Sequence, residues 1–283
     1  MSDVQEAARS FKSAEEVPES VRGPLGSLLL VLADNKRLLG MRYADWILGS
    51  PALEAGIACS AMAQDEWGHG RTLYAMTGDF GFDPHHLEHE REPGEYRSSE
   101  LLDRPVESWP ELLALNLLFD TALSVQFEAM AGSSFEPIHY KVRKLLDEER
   151  FHFEHGRGWT RRLAATEKGR EGLARAFEPV WVACLRWFGP SDDPLVAELE
   201  AAGIVDAGPD ALRARWLARV APEVERAGLG LAEEAGGGWR SATSAAWDGD
   251  WRPGWRRGAE EGGPDEDTIR RVRGDRNRSL LMD

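Results

Sequence analysis

The sequence predicts an all-α fold built around four long helices. Along four stretches of the 283-residue chain, apolar residues recur every three or four positions, which is the spacing of one helix face. A short link joins the first stretch to the second and the third to the fourth, whereas residues 78–107 separate the two pairs. An antiparallel four-helix bundle with one crossover connection, the ferritin-like arrangement, has this pattern. The four predicted helices cover residues 25–48, 51–77, 109–131 and 137–165.

Local start and stop signals support these helices. Ser50 and Pro51 are the residue types preferred at the N-cap and first position of a helix, and Gly78 ends the second helix. A capping box, Ser108-Trp109-Pro110-Glu111, begins the third helix. Gly132-Ser133-Ser134 ends that helix, and the fourth begins near Pro137. No segment has a strand pattern, so the sequence predicts no sheet.

Residues 25–226 are predicted to form the ferritin-like helical domain. Two shorter helices, near residues 169–188 and 209–226, are expected to pack outside the bundle. Residues 1–24 are expected to be a flexible N-terminal arm, and residues 227–283 a disordered tail rich in Gly, Trp and charge. The tail contains four tryptophans, which either occur there by chance or dock a partner through their rings: Trp239, Trp247, Trp251 and Trp255.

The charge balance excludes some functions. Lys and Arg number 34 against 49 Asp and Glu, a net charge of -15, whereas nucleic acids and anionic membranes attract basic surfaces. No apolar run reaches the roughly 18 residues of a membrane span, and the polar N-terminus does not resemble a secretory signal. Cys59 and Cys184 stand alone, which favours neither a metal site nor an inferred disulfide. We therefore expect a cytoplasmic protein.

Two copies of the motif acid-Glu-x-x-His are the main candidates for chemistry. One is Asp65-Glu66-Trp67-Gly68-His69, on the second helix, and the other is Glu148-Glu149-Arg150-Phe151-His152, on the fourth. Residues three apart share a helix face, so the Glu and His of each motif can point together into the bundle. A single copy is as easily a solvated pair, but two copies on these helices indicate a two-metal site. Such sites add one carboxylate from each remaining helix.

Asp120 and Asp34 are the candidate carboxylates on the third and first helices. Each lies between apolar neighbours, where an acid is costly to bury without a partner. Asp120 precedes Glu149 by 29 residues and Asp34 precedes Glu66 by 32, so the two helix pairs have similar spacing. Either Asp is alternatively a cap or a surface acid. Glu128, two turns beyond Asp120, is an alternative ligand or an outer partner of the site.

The predicted metal ligands form a carboxylate-rich set with two histidines. Such a set suits two iron ions, or manganese, and not a structural zinc site, which prefers Cys and His. The other five histidines are expected at the surface or beside the site, and no dinucleotide-binding or phosphate-binding loop occurs. The predicted ligands are Asp34, Glu66, His69, Asp120, Glu149 and His152.

Around these motifs the chain resembles the phenylacetic acid catabolic proteins, the ferritin-like subunits of the bacterial phenylacetyl-CoA epoxidase. The resemblance is seen at Gln64-Asp65-Glu66-Trp67-Gly68-His69-Gly70 and covers roughly residues 25–165. Further segments carry it: Leu32-Ala33-Asp34-Asn35, Ala44-Asp45-Trp46, Ser50-Pro51, Ala131-Gly132-Ser133-Ser134-Phe135-Glu136-Pro137 and Asp147-Glu148-Glu149-Arg150-Phe151-His152.

The resemblance implies ligands and chemistry. The family contains a catalytic subunit with two irons and a related structural subunit that has often lost the ligands. The resemblance implies that iron is bound by five residues of this chain: Glu66, His69, Asp120, Glu149 and His152. The first-helix Glu of catalytic relatives falls on Lys36 here, so Asp34 would have to replace it. The implied reaction activates O2 and oxygenates an aromatic ring held as a CoA thioester, with electrons from a separate reductase.

Three functions therefore remain open from the sequence. The first is a di-iron oxygenase subunit acting on a phenylacetyl-CoA-like substrate, and the second is a non-catalytic scaffold subunit of such a complex. The third is a rubrerythrin-like iron or peroxide protein, although no rubredoxin-type Cys pair occurs. The expected partners are a reductase, a sister ferritin-like subunit and an aromatic CoA thioester. An oligomer is also expected, with no nucleic acid and no membrane.

Overall fold

The computed structural model describes residues 10–243 and 262–275 and confirms the predicted all-α, ferritin-like bundle. Its third long helix has a π-helical segment between two α-helical parts. The bundle consists of α1 (Glu19–Asp45), α2 (Leu53–Thr77), α4 (Trp109–Ala114), the π segment (Leu115–Asp120), α5 (Thr121–Glu128) and α6 (Glu136–Ala164). No helix within the described ranges is both long enough and apolar enough to cross a membrane.

The residues before α1 are held against the start of α6. Phe11 N–H donates to the Ser134 carbonyl (2.7 Å), and Glu136 N–H donates to the Phe11 carbonyl (2.9 Å). The Phe11 side chain is buried, and α1 begins at Glu19. Residues 10–24 therefore differ from the flexible arm expected over residues 1–24, because backbone pairing and one buried ring attach them to the bundle.

The starts of two predicted helices have different outcomes. The Ser108 side chain accepts from Glu111 N–H and begins α4, as the capping box predicts. In contrast, α2 begins at Leu53, and the Ser50 hydroxyl donates to the Ala52 carbonyl (3.3 Å) instead of capping the helix.

The π segment interrupts what the sequence predicts as one regular helix. A π turn accommodates an extra residue and changes the direction of the side chains around it. Asn116 lies within the segment and Asp120 at its end, and each is about 1% exposed. The third long helix thereby directs two polar side chains into the core.

The crossover contains α3 (Pro84–His89) and three single-turn 3-10 helices, at Gly78–Phe80, Pro93–Glu95 and Glu100–Leu102. The Asp83 side chain accepts from His85 N–H (2.9 Å) and caps α3. Arg91 and Tyr96 follow α3 and are both buried. The crossover is therefore anchored by side chains and is not a loose loop.

Three outer helices, α7 (Glu167–Trp187), α8 (Pro194–Ala201) and α9 (Pro209–Arg226), pack on the bundle. Trp181 of α7 and Trp216 of α9 are fully buried, with ring centroids 4.7 Å apart. Trp216 Nε1 donates to the Leu118 carbonyl (2.9 Å), which joins α9 to the π segment. These contacts match the outer packing expected for two of the three helices.

A β-hairpin follows α9, although the sequence predicts no sheet. Strands β1 (Ala232–Ala235) and β2 (Gly238–Ser241) pair antiparallel. Gly236 and Gly237 connect them with φ values of 60° and 82°. Two central residues with positive φ form the turn that best matches strand twist, and glycine reaches that region without strain. The Gly-Gly pair was thus a turn signal, not a sign of disorder.

The tail also contains α10 (Glu266–Arg273), which docks on α1. Arg42 of α1 donates to Thr268 Oγ1 (2.7 Å), and Arg37 donates to the Val272 carbonyl (3.0 Å). Ile269 is 3% exposed. The described parts of residues 227–283 are therefore ordered elements, contrary to the expected disordered tail. Trp239 lies in β2, and the other three tail tryptophans lie outside the described residues.

We expect Ile269→Ala to lower the free energy of unfolding by about 2–4 kcal/mol, because it leaves a cavity beneath α10. Arg270→Ala, at an exposed position one residue along, is the control and should cost less than about 0.5 kcal/mol. Urea denaturation followed by circular dichroism measures both. Equal, small losses would show that α10 contributes little to the fold.

Candidate metal centre

Both acid-Glu-x-x-His motifs meet in the middle of the bundle. One ligand atom from each of Glu66, Asp120, Glu149 and His152 lies within 4.8 Å of the others, and all four residues are buried. His69 Nδ1 lies 3.2 Å from Glu149 Oε1, at the edge of this cluster. The structure therefore brings together five of the six predicted ligands, and by residue type the cluster could bind a metal.

The leading acid of each motif contacts the histidine of the other motif. His69 Nε2 lies 2.8 Å from Glu148 Oε2, and His152 Nε2 lies 3.3 Å from Asp65 Oδ2. Each ring thus directs Nδ1 to the inner carboxylates and Nε2 to an outer one. Outer carboxylates of this kind fix the orientation of a histidine. The sequence signal for Asp65 and Glu148 is that both motifs begin with an acid, but the sequence analysis gives these two acids no role.

Lys36 of α1 lies at the centre of the cluster. Its Nζ is 2.9 Å from Glu66 Oε1, 2.7 Å from Asp120 Oδ1 and 2.6 Å from Glu149 Oε1. The lysine is fully buried. One ammonium group therefore joins α1 to α2, the π segment and α6.

In two of these carboxylates, a neutral donor binds the oxygen that Lys36 does not contact. The Tyr43 hydroxyl donates to Asp120 Oδ2 (2.7 Å) and accepts from Asn116 Nδ2 (2.9 Å). Ser124 donates to Glu149 Oε2 (2.9 Å). Glu66 Oε2 is buried and has no hydrogen-bond partner among the described residues. Toward the cluster, α1 thus presents Lys36 and Tyr43, an ammonium and a phenol instead of a carboxylate.

The structure places Asp34, the predicted ligand on the first helix, away from the cluster. Its carboxylate accepts from both terminal nitrogens of Arg91 (2.5 and 3.0 Å), the Tyr74 hydroxyl (2.6 Å) and Arg97 N–H (2.7 Å). Successive helix residues are rotated by about 100°, so Asp34 and Lys36 lie on opposite sides of α1. Because Lys36 faces the cluster, Asp34 faces the crossover.

Glu128, the alternative ligand, lies beside the cluster. Its Oε1 is 2.7 Å from Arg219 Nη1.

Two cavities border the cluster. Glu128, Ser124 and Glu149 line one of about 290 Å³. A second cavity, of about 390 Å³, lies between α2 and α6 and reaches His69 and Glu148.

The charged groups of the cluster perturb one another. Burial alone would lower the pKa of Lys36, but the charges of Asp120, Glu149 and Glu66 raise it above its usual value. Burial likewise opposes protonation of His152, yet Glu149 and the hydrogen-bonded carboxylates raise its pKa well above the usual value. Burial would raise the pKa of Asp120, but Lys36 holds it well below its usual range.

The pKa values of His69 and Glu66 are also raised. Burial opposes protonation of His69, but Glu149 raises its pKa. Burial and then the charge of Asp120 raise the pKa of Glu66 to about 7. The pKa shifts of Lys36, His69 and His152 therefore all favour the protonated form beside the three carboxyl groups.

These residues do not fit a two-metal centre. Such a centre needs a carboxylate from each of the four helices, whereas α1 supplies Lys36. A metal ion bound by Glu66, Asp120 and Glu149 would occupy the space of the Lys36 ammonium, and the two cations would repel each other. The carboxylates and histidines of the cluster would form a metal-ligand set only if the Lys36 ammonium were absent.

His155 lies one turn beyond His152 and is half-buried, with its ring centroid 6.2 Å from that of Trp109. Burial, followed by the charge of His152, lowers its pKa from 6.5 to about 4. The folded state therefore binds this proton less readily than the unfolded state. Its contribution to stability is complete above about pH 6.5 and is lost as the pH falls toward 4, by up to about 1.4 kcal/mol per pH unit.

We expect His155→Gln to reduce the stability lost between about pH 7 and pH 5 by about 1–2 kcal/mol, allowing for partial solvent exposure. His85→Gln, whose side chain is 68% exposed, is the matched control and should change this loss little. Urea denaturation at the two pH values measures the difference. An unchanged acid sensitivity in His155→Gln would assign it to other groups.

Comparison with known proteins identifies the family. The family model described as "Phenylacetic acid catabolic protein" matches residues 2–247. One component of the 1,2-phenylacetyl-CoA epoxidase of Escherichia coli K12 is 29% identical over 188 residues, 65% of this chain and 61% of that component. A second component of the same epoxidase is 24% identical over 213 residues, 74% of this chain and 85% of that component. The match thus spans less than two thirds of the first component. The chain belongs to the phenylacetic acid catabolic protein family.

Proposed function

We propose that the chain is a subunit of a multicomponent oxygenase acting on phenylacetyl-CoA or a related aromatic CoA thioester, and that it serves as the non-catalytic subunit. Two different subunits of one epoxidase both resemble it, which supports a role beside a sister chain of the same fold. The observation that carries the non-catalytic role is the position of Lys36 Nζ, within 2.9 Å of three carboxylates.

In this role the buried cluster is structural. Lys36 connects the helices that in a metal-bearing bundle would be joined through the metal, so the four helices keep their register without an ion. The Asp65–His152 and Glu148–His69 pairs extend the same network to the surface between α2 and α6. Such a subunit would hold and orient a metal-bearing sister chain, which would carry out the oxygenation.

A second candidate is the di-iron oxygenase subunit itself. The specific observation in its favour is that both motifs, with Glu66, His69, Glu149, His152 and their outer acids, converge as a ligand set would. In that case iron would activate O2, and a separate reductase would supply electrons. Nothing in the described residues favours the rubrerythrin-like alternative over these two.

Metal analysis separates the two candidates. The full chain is produced in iron-supplemented medium, desalted and analysed for iron, and its O2 uptake is measured with a reductase and phenylacetyl-CoA. We expect no stoichiometric iron and no O2 uptake by the chain alone. About two irons per chain together with reductase-dependent uptake would overturn the non-catalytic proposal and establish the oxygenase.

A further inference from the structure

Three histidines and two glutamates contact one another on the surface of the crossover, away from the buried cluster. They belong to α3 and to the residues that follow it: His85, His86, His89, Glu90 and Glu95. The Asp83 side chain caps α3 by accepting from the N–H groups of His85 and His86, which fixes the start of this helix. The proposed function uses none of these side chains.

His85 and His89 are spaced as two ligands of one ion. They are four residues apart and therefore share a face of α3. Their ring centroids are 5.1 Å apart. When two imidazole nitrogens each lie about 2.0–2.1 Å from one tetrahedral ion, the two ring centroids are about 5 Å apart. The pair could therefore bind a single ion with little change in ring position.

Glu90 supplies a third donor beside this pair. Its Oε1 lies 3.4 Å from His85 Nδ1, which is long for a hydrogen bond. It is also about the separation of two ligand atoms bound to one tetrahedral ion. Within the described ranges, ligand atoms of three such residues already converge only in the buried cluster, so the surface site would close by side-chain rotation. Glu90 is 57% exposed, and packing does not restrict that rotation.

His86 and Glu95 hold the other side of Glu90. His86 Nε2 lies 3.1 Å from Glu95 Oε1, and His86 Nδ1 lies 3.5 Å from Glu90 Oε2. The second oxygen of Glu90 is thereby held by His86, and Oε1 stays directed to His85. Outer partners of this kind orient the ligands of a metal site.

We propose that His85, His89 and Glu90 form a surface site for a divalent ion of the Zn2+ class. Two imidazoles and one carboxylate suit zinc, and water would take the fourth position of the tetrahedron.

The bound ion would join the two ends of α3, which runs only from Pro84 to His89. An ion that binds the folded crossover more tightly than the opened one stabilises the folded form. Zinc would therefore hold residues 78–107 closed against local opening. The inference goes beyond the proposed function and applies equally to a catalytic and a non-catalytic chain, because the site lies in the crossover and uses none of the cluster residues.

The experiment compares zinc binding by four full-length, untagged proteins: wild type, the double variant His85→Gln with His89→Gln, Glu90→Gln, and His139→Gln. The last is the matched control, because it removes an exposed histidine of α6. Each is treated with EDTA, desalted and titrated with ZnCl2 near neutral pH by isothermal titration calorimetry. We expect wild type and His139→Gln to bind about one zinc per chain at this site. The double variant should bind it at least about tenfold more weakly, and Glu90→Gln should lie between them.

A second measurement locates the zinc in the crossover. Saturating ZnCl2 should slow proteolysis within residues 78–107 in wild type and in His139→Gln, but not in the double variant. Zinc binding of equal affinity and stoichiometry in wild type and the double variant overturns the site, and so does the absence of zinc binding by wild type. If the double variant does not fold, His89→Gln replaces it, and an unchanged zinc affinity in that variant overturns the site.

Discussion

Replacing Lys36 by Met is expected to lower the free energy of unfolding by about 3–5 kcal/mol in buffer containing a chelator. Methionine keeps a similar length but removes the charge that faces Glu66, Asp120 and Glu149 at 2.6–2.9 Å. The three carboxyl groups would then lie buried beside each other with only the two histidines to balance them. Urea denaturation near neutral pH measures the loss.

Lys144→Met is the matched control for this prediction. Lys144 also lies on a bundle helix and also faces a carboxylate, Glu148, at 3.2 Å, but its side chain is 83% exposed. Exposed ion pairs contribute about 0–1 kcal/mol, so the control should change stability little. Similar losses in both variants would contradict the central role of Lys36. Combining Lys36→Met with Glu66→Gln should cost less than the sum of the single losses, because the two groups interact directly.

Arg91→Ala is expected to cost about 3–5 kcal/mol, the second large effect. Arg91 is 1% exposed, donates two hydrogen bonds to the buried Asp34 and stacks over Tyr96 with its guanidinium carbon 3.9 Å from the ring centroid. Its Nε also donates to the Leu87 carbonyl (2.8 Å). Truncation would leave Asp34 without its counter-ion and would detach the crossover from α1. Urea denaturation and the rate of proteolysis within residues 78–107 report these two effects.

Arg97→Ala tests whether this loss is specific. Arg97 donates to Asp34 through its backbone N–H (2.7 Å), which alanine retains. The expected cost is therefore below about 1 kcal/mol. In the double variant Asp34→Ala, Arg91→Ala, the loss should be smaller than the sum of the single losses. Additive losses would show that Asp34 and Arg91 do not act as a unit.

On α1, Lys36 and not the predicted ligand Asp34 lies in the cluster. Asp34 was expected to bind metal because an acid among apolar residues needs a buried partner, and that argument correctly predicts burial. It does not name the partner, which is Arg91, 57 residues away in the crossover. For Lys36, the family resemblance indicates only that it stands where catalytic relatives have a Glu. Its place at the centre of the cluster depends on which face of α1 turns inward.

The order in the described parts of the tail, and the π segment, could not be predicted from the sequence for a related reason. Gly-rich and charged composition predicts flexibility, but it does not reveal that Ile269 and Val272 are buried. The π segment at Leu115–Asp120 has no proline or glycine to mark it. Both features arise from packing against distant elements, which composition and local periodicity do not report.

The sequence by itself determined the four long helices, their short and long connections, and the helix faces that carry the two motifs. These follow from spacing along the chain, since residues three or four apart share a face wherever the helix lies. Only the tertiary structure decided that Lys36 and not Asp34 meets Glu66, Asp120 and Glu149. The two residues differ by about 200° around α1, and the rotation of α1 against the other helices is set by the whole core, not by its own residues.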